Sequence, residues 1–305
     1  MASNAAPDVV SMHYSVISDY SSRGLLIPLD DLLASQEIKP GDFSDASRGG
    51  VTKEGKMFGL PFDNWTMLFH INMNLMKEAG LVNADGTPML PKSEEDFFTL
   101  GKKFKDATGK PYLVQIYANE TAAYTRIFYT LMQQQNYDFF ADPAKINLQG
   151  PEAKAAVEFM KKINTEGLST VDMDYSAAVS GFSSGKGGIA VNGTWLIGDF
   201  DAQSKEDGNA LSGGYTVYPV PQFMAAKDST YVDGHGWVIP RGDRDEEKME
   251  AIGKLFKFLK DNDFEWARTG HLPAVKAVFD MDALQEPAPS RQHREDFPDR
   301  RIPAR

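Results

Sequence analysis

Residues 151–167 read PEAKAAVEFMKKINTEG and residues 175–195 read YSAAVSGFSSGKGGIAVNGTW, and the order of element types along this stretch decides the fold class. Pro151 to Glu166 is predicted as a helix: proline is tolerated in the first turn, Ala155, Val157, Phe159, Met160 and Ile163 supply an apolar side, and Gly167 stops it. Ala177 to Ser184 is a shorter helix ended by Gly185. Ile189 to Val191 then forms a strand that delivers Asn192-Gly-Thr-Trp195, where a further helix begins. Helices and strands therefore alternate, as they do in α/β proteins whose sites lie where loops converge at strand ends.

The same alternation extends in both directions. Upstream, Val9 and Val10 open a short strand that runs into a loop at His13, Tyr14 and Ser15, and residues 23–33 read as a strand-like entry and a short helix. Lys53 to Met57 is a hairpin around Gly55. Two β runs, Phe58 to Phe62 and Met67 to Ile71, flank Asp63-Asn64-Trp65. Asn72 to Gly80 is a glycine-ended helix, and Ser93 with Asp96 three residues later caps another over 94–107. Pro111 to Ile116 is a strand and Ala122 to Gln135 an apolar helix. Downstream, strands at Tyr215 to Val220 and Gly236 to Ile239 precede an amphipathic helix, Glu246 to Lys260, with Met249, Ile252, Leu255, Phe256 and Leu259 inward.

Three hundred and five residues suffice for two such domains. With 32 basic and 43 acidic side chains the net charge is −11, which disfavours a nucleic-acid partner. Cysteine is absent, so disulfides and thiolate sites are excluded. No apolar run is long enough to span a membrane, and the first seven residues lack the basic start and apolar run of a signal peptide.

Chemistry-bearing motifs are mostly negative. Gly181-Phe-Ser-Ser-Gly185-Lys186-Gly187 has the wrong spacing for a phosphate loop and runs helix to strand, so it reads as a helix stop. His13, His70, His235, His271 and His293 show no close metal spacing, and no serine sits in a nucleophile elbow. Glu94-Glu95-Asp96 is a helix N-terminal charge cluster. Neither catalysis nor a cofactor nor a metal is expected. By contrast Tyr14, Trp65, Tyr117, Tyr124, Trp195 and Trp237 stand beside Asn, Asp, His, Thr or Gly at strand ends or helix starts. That mixture suits a sugar, whose C–H patches stack on rings while its hydroxyls need directional polar partners.

Seven ordered segments carry a family resemblance: Ala6-Pro-Asp-Val-Val10, Gly24-Leu-Leu-Ile-Pro-Leu-Asp-Asp-Leu32, Phe58-Gly-Leu-Pro-Phe-Asp-Asn64, Phe182-Ser-Ser-Gly-Lys186, Val191-Asn-Gly-Thr-Trp195, Gly234-His-Gly-Trp-Val-Ile-Pro240 and Glu265-Trp-Ala-Arg-Thr-Gly-His-Leu-Pro273. Together they resemble family 1 extracellular solute-binding proteins of bacterial carbohydrate ABC importers. The resemblance implies a two-lobe periplasmic-binding-protein-like fold of type II, with lobes joined by strand crossovers near Asp63 to Met67, Tyr231 to His235 and Arg268 to Ala274, closing on a ligand by hinge motion. Residues 1–64 and 234–268 would form the first lobe, 65–233 and 269–280 the second, and 281–305 a disordered or out-of-frame tail. Trp195 would stack on a sugar ring, Asp63 and Asn64 would bond its hydroxyls, His235 and Gly236 would reach it from the returning strand, and His13 and Tyr14 would line the first lobe's loop. Asn119 and Tyr124 complete the expected set.

The resemblance further implies a monomer that captures a carbohydrate and delivers it to ABC permease membrane subunits, in the periplasm or lipid-anchored outside the cell. By the family's pattern a first strand, two helices and an export signal are expected upstream of this sequence. Closing helices are expected downstream, where a one-base shift across Leu284 to Asp296 would encode a family-like continuation. The alternatives are the same fold binding glycerol phosphate, which would need converging Arg or Lys, or a polyamine, which would need several acids. A carbohydrate-active enzyme would need a facing pair of carboxylates.

Overall fold

The computed structural model describes residues 6–114, 121–139, 148–224 and 226–281. Its strands are β1 (Val10–His13), β2 (Thr52–Lys53), β3 (Lys56–Met57), β4 (Leu60–Asn72), β5 (Leu113–Val114), β6 (Ile189–Gly193), β7 (Tyr215–Pro219), β8 (Val232–Val238) and β9 (Leu272–Pro273). The described chain divides into two compact units, one holding residues up to Trp65 and from Val232 onward, the other Thr66–Tyr231. Both are α/β, as the alternation predicted. The chain passes from the first to the second within β4 and returns at Tyr231–Val232.

In the first unit, β1 runs antiparallel to β8, with Val10 opposite Val238 and His13 opposite His235. β8 in turn neighbours β4, and β9 pairs with β4 at Asp63 and Asn64. Helices at Tyr14–Ser22, Asp30–Ser35, Asp45–Val51 and Glu246–Asp261 supply the rest of a core that includes Ile17, Leu26, Leu29, Phe43, Ile239 and Phe256. Residues 269–280, assigned by resemblance to the second lobe, belong here instead. β9 is tied to β4, and Val275 bridges to Phe43, so the crossover expected near Arg268 to Ala274 stays inside the first unit.

In the second unit, the C-terminal half of β4 lies between two antiparallel neighbours. Ile71 faces Ile189 of β6 and Thr216 of β7, and β5 adds to β6 in parallel. With strand neighbours along both edges, β4 is buried at every residue except Phe62, which is half-buried. Where the sequence suggests two β runs around a polar break, there is one strand of 13 residues.

Helix boundaries follow local chemistry. Ser93 Oγ accepts the Asp96 N–H at 3.1 Å to start Glu94–Thr108, and Gly109, at φ 68°, ends it. Asn72 Oδ1 accepts from Asn74 and Leu75 to start Met73–Glu78. Helix faces depart from expectation. In Pro151–Thr165 the buried residues are Ala153, Ala156 and Phe159, while Val157 is 53% exposed. In Glu246–Asp261 they are Ile252, Gly253 and Phe256, with Leu255 42% exposed.

Candidate functional site

The first unit gathers its polar and aromatic groups around Asp63. This residue sits mid-strand in β4, fully buried, with Oδ1 accepting the backbone N–H of His235 at 2.9 Å and the His235 Nδ1–H at 2.8 Å. Oδ2 accepts the indole N–H of Trp266 at 2.8 Å and lies 3.8 Å from His271 Nε2. Burial pushes the His271 pKa down, against the pull of Asp63 and together with the repulsion from His235. Next to this group, the His13 ring stands 4.8 Å from the His235 ring. Asp233, also buried, accepts from Ser15 N–H and Oγ–H and from Gly234 N–H.

Aromatic rings line the same unit in series. Phe62 stacks on Trp266 at 4.9 Å and meets Trp237 edge-on at 5.5 Å, and Trp266 stacks on His271 at 4.6 Å. The Trp237 indole nitrogen is buried without a hydrogen-bond partner.

The second unit, taken by itself, holds Trp195. It lies in the short 3-10 turn Thr194–Leu196 that follows β6, half-buried, with its indole N–H donating to Tyr175 Oη at 2.9 Å and the Arg126 guanidinium 5.9 Å from the ring centre. Its ring lies across Gly193, where a Cβ would fall inside the ring atoms, so only glycine admits this orientation. In the same unit, on Thr121–Gln133, Tyr124 helps line a groove of about 400 Å³ with Phe128, Val157 and Met160.

Of the expected contact residues, the structure brings His13, Asp63, Asn64, His235 and Gly236 together in the first unit. Trp195 and Tyr124 belong to the second, and Asn119, like Tyr117, lies outside the described residues. Tyr14 opens the helix Tyr14–Ser22 instead of standing in a loop, and at 4% exposure it is a core residue. Asn64 is buried and its amide donates to Ser47 Oγ at 2.7 Å and to the Pro273 carbonyl at 3.3 Å, which ties β4 to its neighbours. Gly236 is buried under Ile17 and Val51. Trp266, His271, Asp233 and Tyr175 carried no individual role in the sequence reading. The segment Glu265 to Pro273 does carry a Trp and a His five residues apart, but only the pairing of β9 with β4 shows that both face Asp63.

The family described as bacterial extracellular solute-binding protein matches residues 1–289. An arabinooligosaccharide-binding protein of Bacillus subtilis (strain 168) is 26% identical over 292 residues, 94% of this chain and 64% of the relative. A lactose-binding protein of Rhizobium radiobacter is 25% identical over 263 residues, 85% of this chain and 58% of its own length. The chain thus spans less than two thirds of either relative. The maltose-bound structure of T. maritima MalE3 aligns with a TM-score of 0.78 at 22% identity, over 94% of this chain and 72% of that one. Among the described residues no helix is long and apolar enough to cross a membrane. A family match over nearly the whole length, together with the shared two-unit α/β fold, makes this chain a member of the bacterial extracellular solute-binding proteins.

Proposed function

We propose that the chain is the extracytoplasmic carbohydrate-binding component of an ABC importer, acting in the periplasm or lipid-anchored outside the cell as a monomer that hands its sugar to membrane permease subunits and performs no chemistry on it. The observation that carries the reading is Trp195. It is a half-buried indole packed against Gly193 and bonded to Tyr175, and such a fixed, partly exposed ring suits stacking on a sugar's C–H face. The names of the two relatives point the same way. His13 and His235, half-buried beside buried carboxylates in the first unit, supply the directional polar groups that hydroxyls need. The reading is tested by calorimetry and thermal melting against mono- and oligosaccharides. A carbohydrate that raises the melting temperature is expected, with Trp195→Ala losing about 1 to 3 kcal/mol of its binding while the fold stands. Unchanged affinity in a variant whose melting temperature has collapsed would instead make Trp195 a core residue.

One observation favours a second reading, the uptake of glycerol phosphate or another phosphate-bearing solute. The Arg126 guanidinium lies near the Trp195 ring and could form the charge-assisted bonds a phosphate requires. Including glycerol phosphate in the same screen separates the two, because Arg126→Gln would abolish its binding and spare that of a neutral sugar.

A further inference from the structure

We propose that Asp63, His235 and His271 bind one divalent transition-metal ion, zinc in the first instance, within the first unit. Their ligand atoms all lie within 4.8 Å of one another. Asp63 is fully buried, and the titratable groups within ion-pair distance of its carboxylate among the described residues are His235 and His271, with no Lys or Arg. A carboxylate in that position is costly unless a cation matches it. The N–H groups of Trp266 and His235 satisfy its lone pairs, and a neutral donor brings no countercharge with its hydrogen bond.

The tautomer of His271 sharpens the point. The Thr269 hydroxyl donates to the Trp266 carbonyl at 2.6 Å, so its oxygen receives the His271 Nδ1–H at 3.0 Å. In the neutral ring the bare Nε2 then faces Asp63 Oδ2 at 3.8 Å. Two lone pairs confront each other at a distance too long for a hydrogen bond. The spacing is close to the roughly 3.3 to 3.5 Å between donors that share a tetrahedral zinc with bonds of about 2.0 to 2.2 Å. His235 Nδ1, at 2.8 and 3.0 Å from the two carboxylate oxygens, is the third donor. It enters the set as the other neutral tautomer, its one proton moving from Nδ1 to Nε2 by exchange with solvent as the metal–nitrogen bond forms.

Two imidazoles and one carboxylate suit zinc and its borderline neighbours, and leave a fourth position for water. Outer contacts already hold the ligands: Thr269 fixes the His271 ring, and Trp266 both bonds Asp63 and stacks on His271. Bound metal would staple β4, β8 and the approach to β9, three segments far apart in sequence. With Nδ1 on the ion, His235 would still present its Nε2–H to a solute hydroxyl.

The test uses the whole chain, stripped with a chelator, dialysed and titrated with ZnCl2. The expected result is one ion bound per chain and a higher melting temperature. His271→Ala, which removes a ligand from the rim of the cluster, is expected to weaken binding by at least about tenfold with an unchanged metal-free melting temperature, whereas His293→Ala is expected to bind as the parent does. Should His271→Ala prove unstable, the Co2+ form of the parent decides, because two imidazoles must then show paramagnetically shifted resonances. No heat and no melting shift at millimolar zinc, parental affinity in His271→Ala, or shifted resonances from fewer than two histidine rings would each overturn the proposal.

Discussion

A residue's surroundings reverse the reading of its side chain in both directions. Tyr14 stands in a polar run beside His13, and its sequence context suggests a ligand contact. Yet its ring fills the space left by Gly50 and Gly234, neither of which could carry a Cβ there, so it is core. Trp195 depends on glycine in the same way with the opposite outcome, because Gly193 holds its ring across the end of β6 where it remains half-buried. Gly193 has φ −87°, which any residue can adopt, so Gly193→Ala should leave the backbone intact and force only the indole to swing. The expected outcome is loss of the Trp195–Tyr175 hydrogen bond, a red-shifted tryptophan emission and weaker sugar binding, with a melting temperature near that of the parent. Parental emission and parental affinity would mean the ring tolerates the methyl and that its orientation is not what glycine protects.

At the scale of elements, what could be read in the sequence was what local chemistry decides. Ser93 with Asp96, Pro151 with Gly167, and Gly55 in its hairpin mark boundaries through contacts a few residues apart, and these stand in the structure. Ser93→Ala should therefore cost about 1 kcal/mol, seen as a lower urea midpoint at unchanged slope, and Ser93→Asp should restore it. Continuity of β4 was not legible, because Asp63 and Asn64 look like a loop until their partners are known. His235 and Trp266 bond the one, and Ser47 and Pro273 the other. The buried faces of the helices at 151–165 and 246–261 were shifted for a related reason: several apolar stripes fit each sequence, and the neighbouring elements choose among them. The cluster of Asp63, His235 and His271 was hidden most completely, since spacing rules for metal ligands work within one segment and these residues come from three.

For the molecule as a whole, two buried ionisable groups outside the binding residues give the two units opposite responses to pH. His70, in the second unit, is wholly buried. Its Nε2–H donates to the Gly193 carbonyl at 3.1 Å and its Nδ1 accepts from Tyr215 Oη at 2.8 Å, so both nitrogens are satisfied in the neutral ring. Desolvation lowers its pKa from 6.5 to about 4. Below pH 6.5 the unfolded chain takes up a proton that the folded unit refuses, so stability is complete above 6.5 and falls by about 3 kcal/mol as the pH approaches 4. Asp263, in the first unit, is raised by burial from 3.8 to about 7, with a smaller contribution from Asp63 and against the backbone N–H bonds of Val275 and Ala274. Here the folded state keeps a proton the unfolded chain releases, so stability is complete below about pH 3.8 and declines by about 4 kcal/mol as the pH rises to 7. Hydrogen exchange by mass spectrometry, with chelator present and rates corrected for intrinsic pH dependence, should show peptides of residues 66–72 and 189–193 better protected at pH 7 than at pH 5. Peptides covering 252–267 should show the reverse. His70→Gln should abolish the first trend alone, and Asp263→Asn, which keeps an acceptor for the Val275 N–H, should abolish the second alone and stabilise the first unit at pH 7. If both variants keep the parental pH profile in both sets of peptides, neither buried group governs it and the opposed responses must be abandoned.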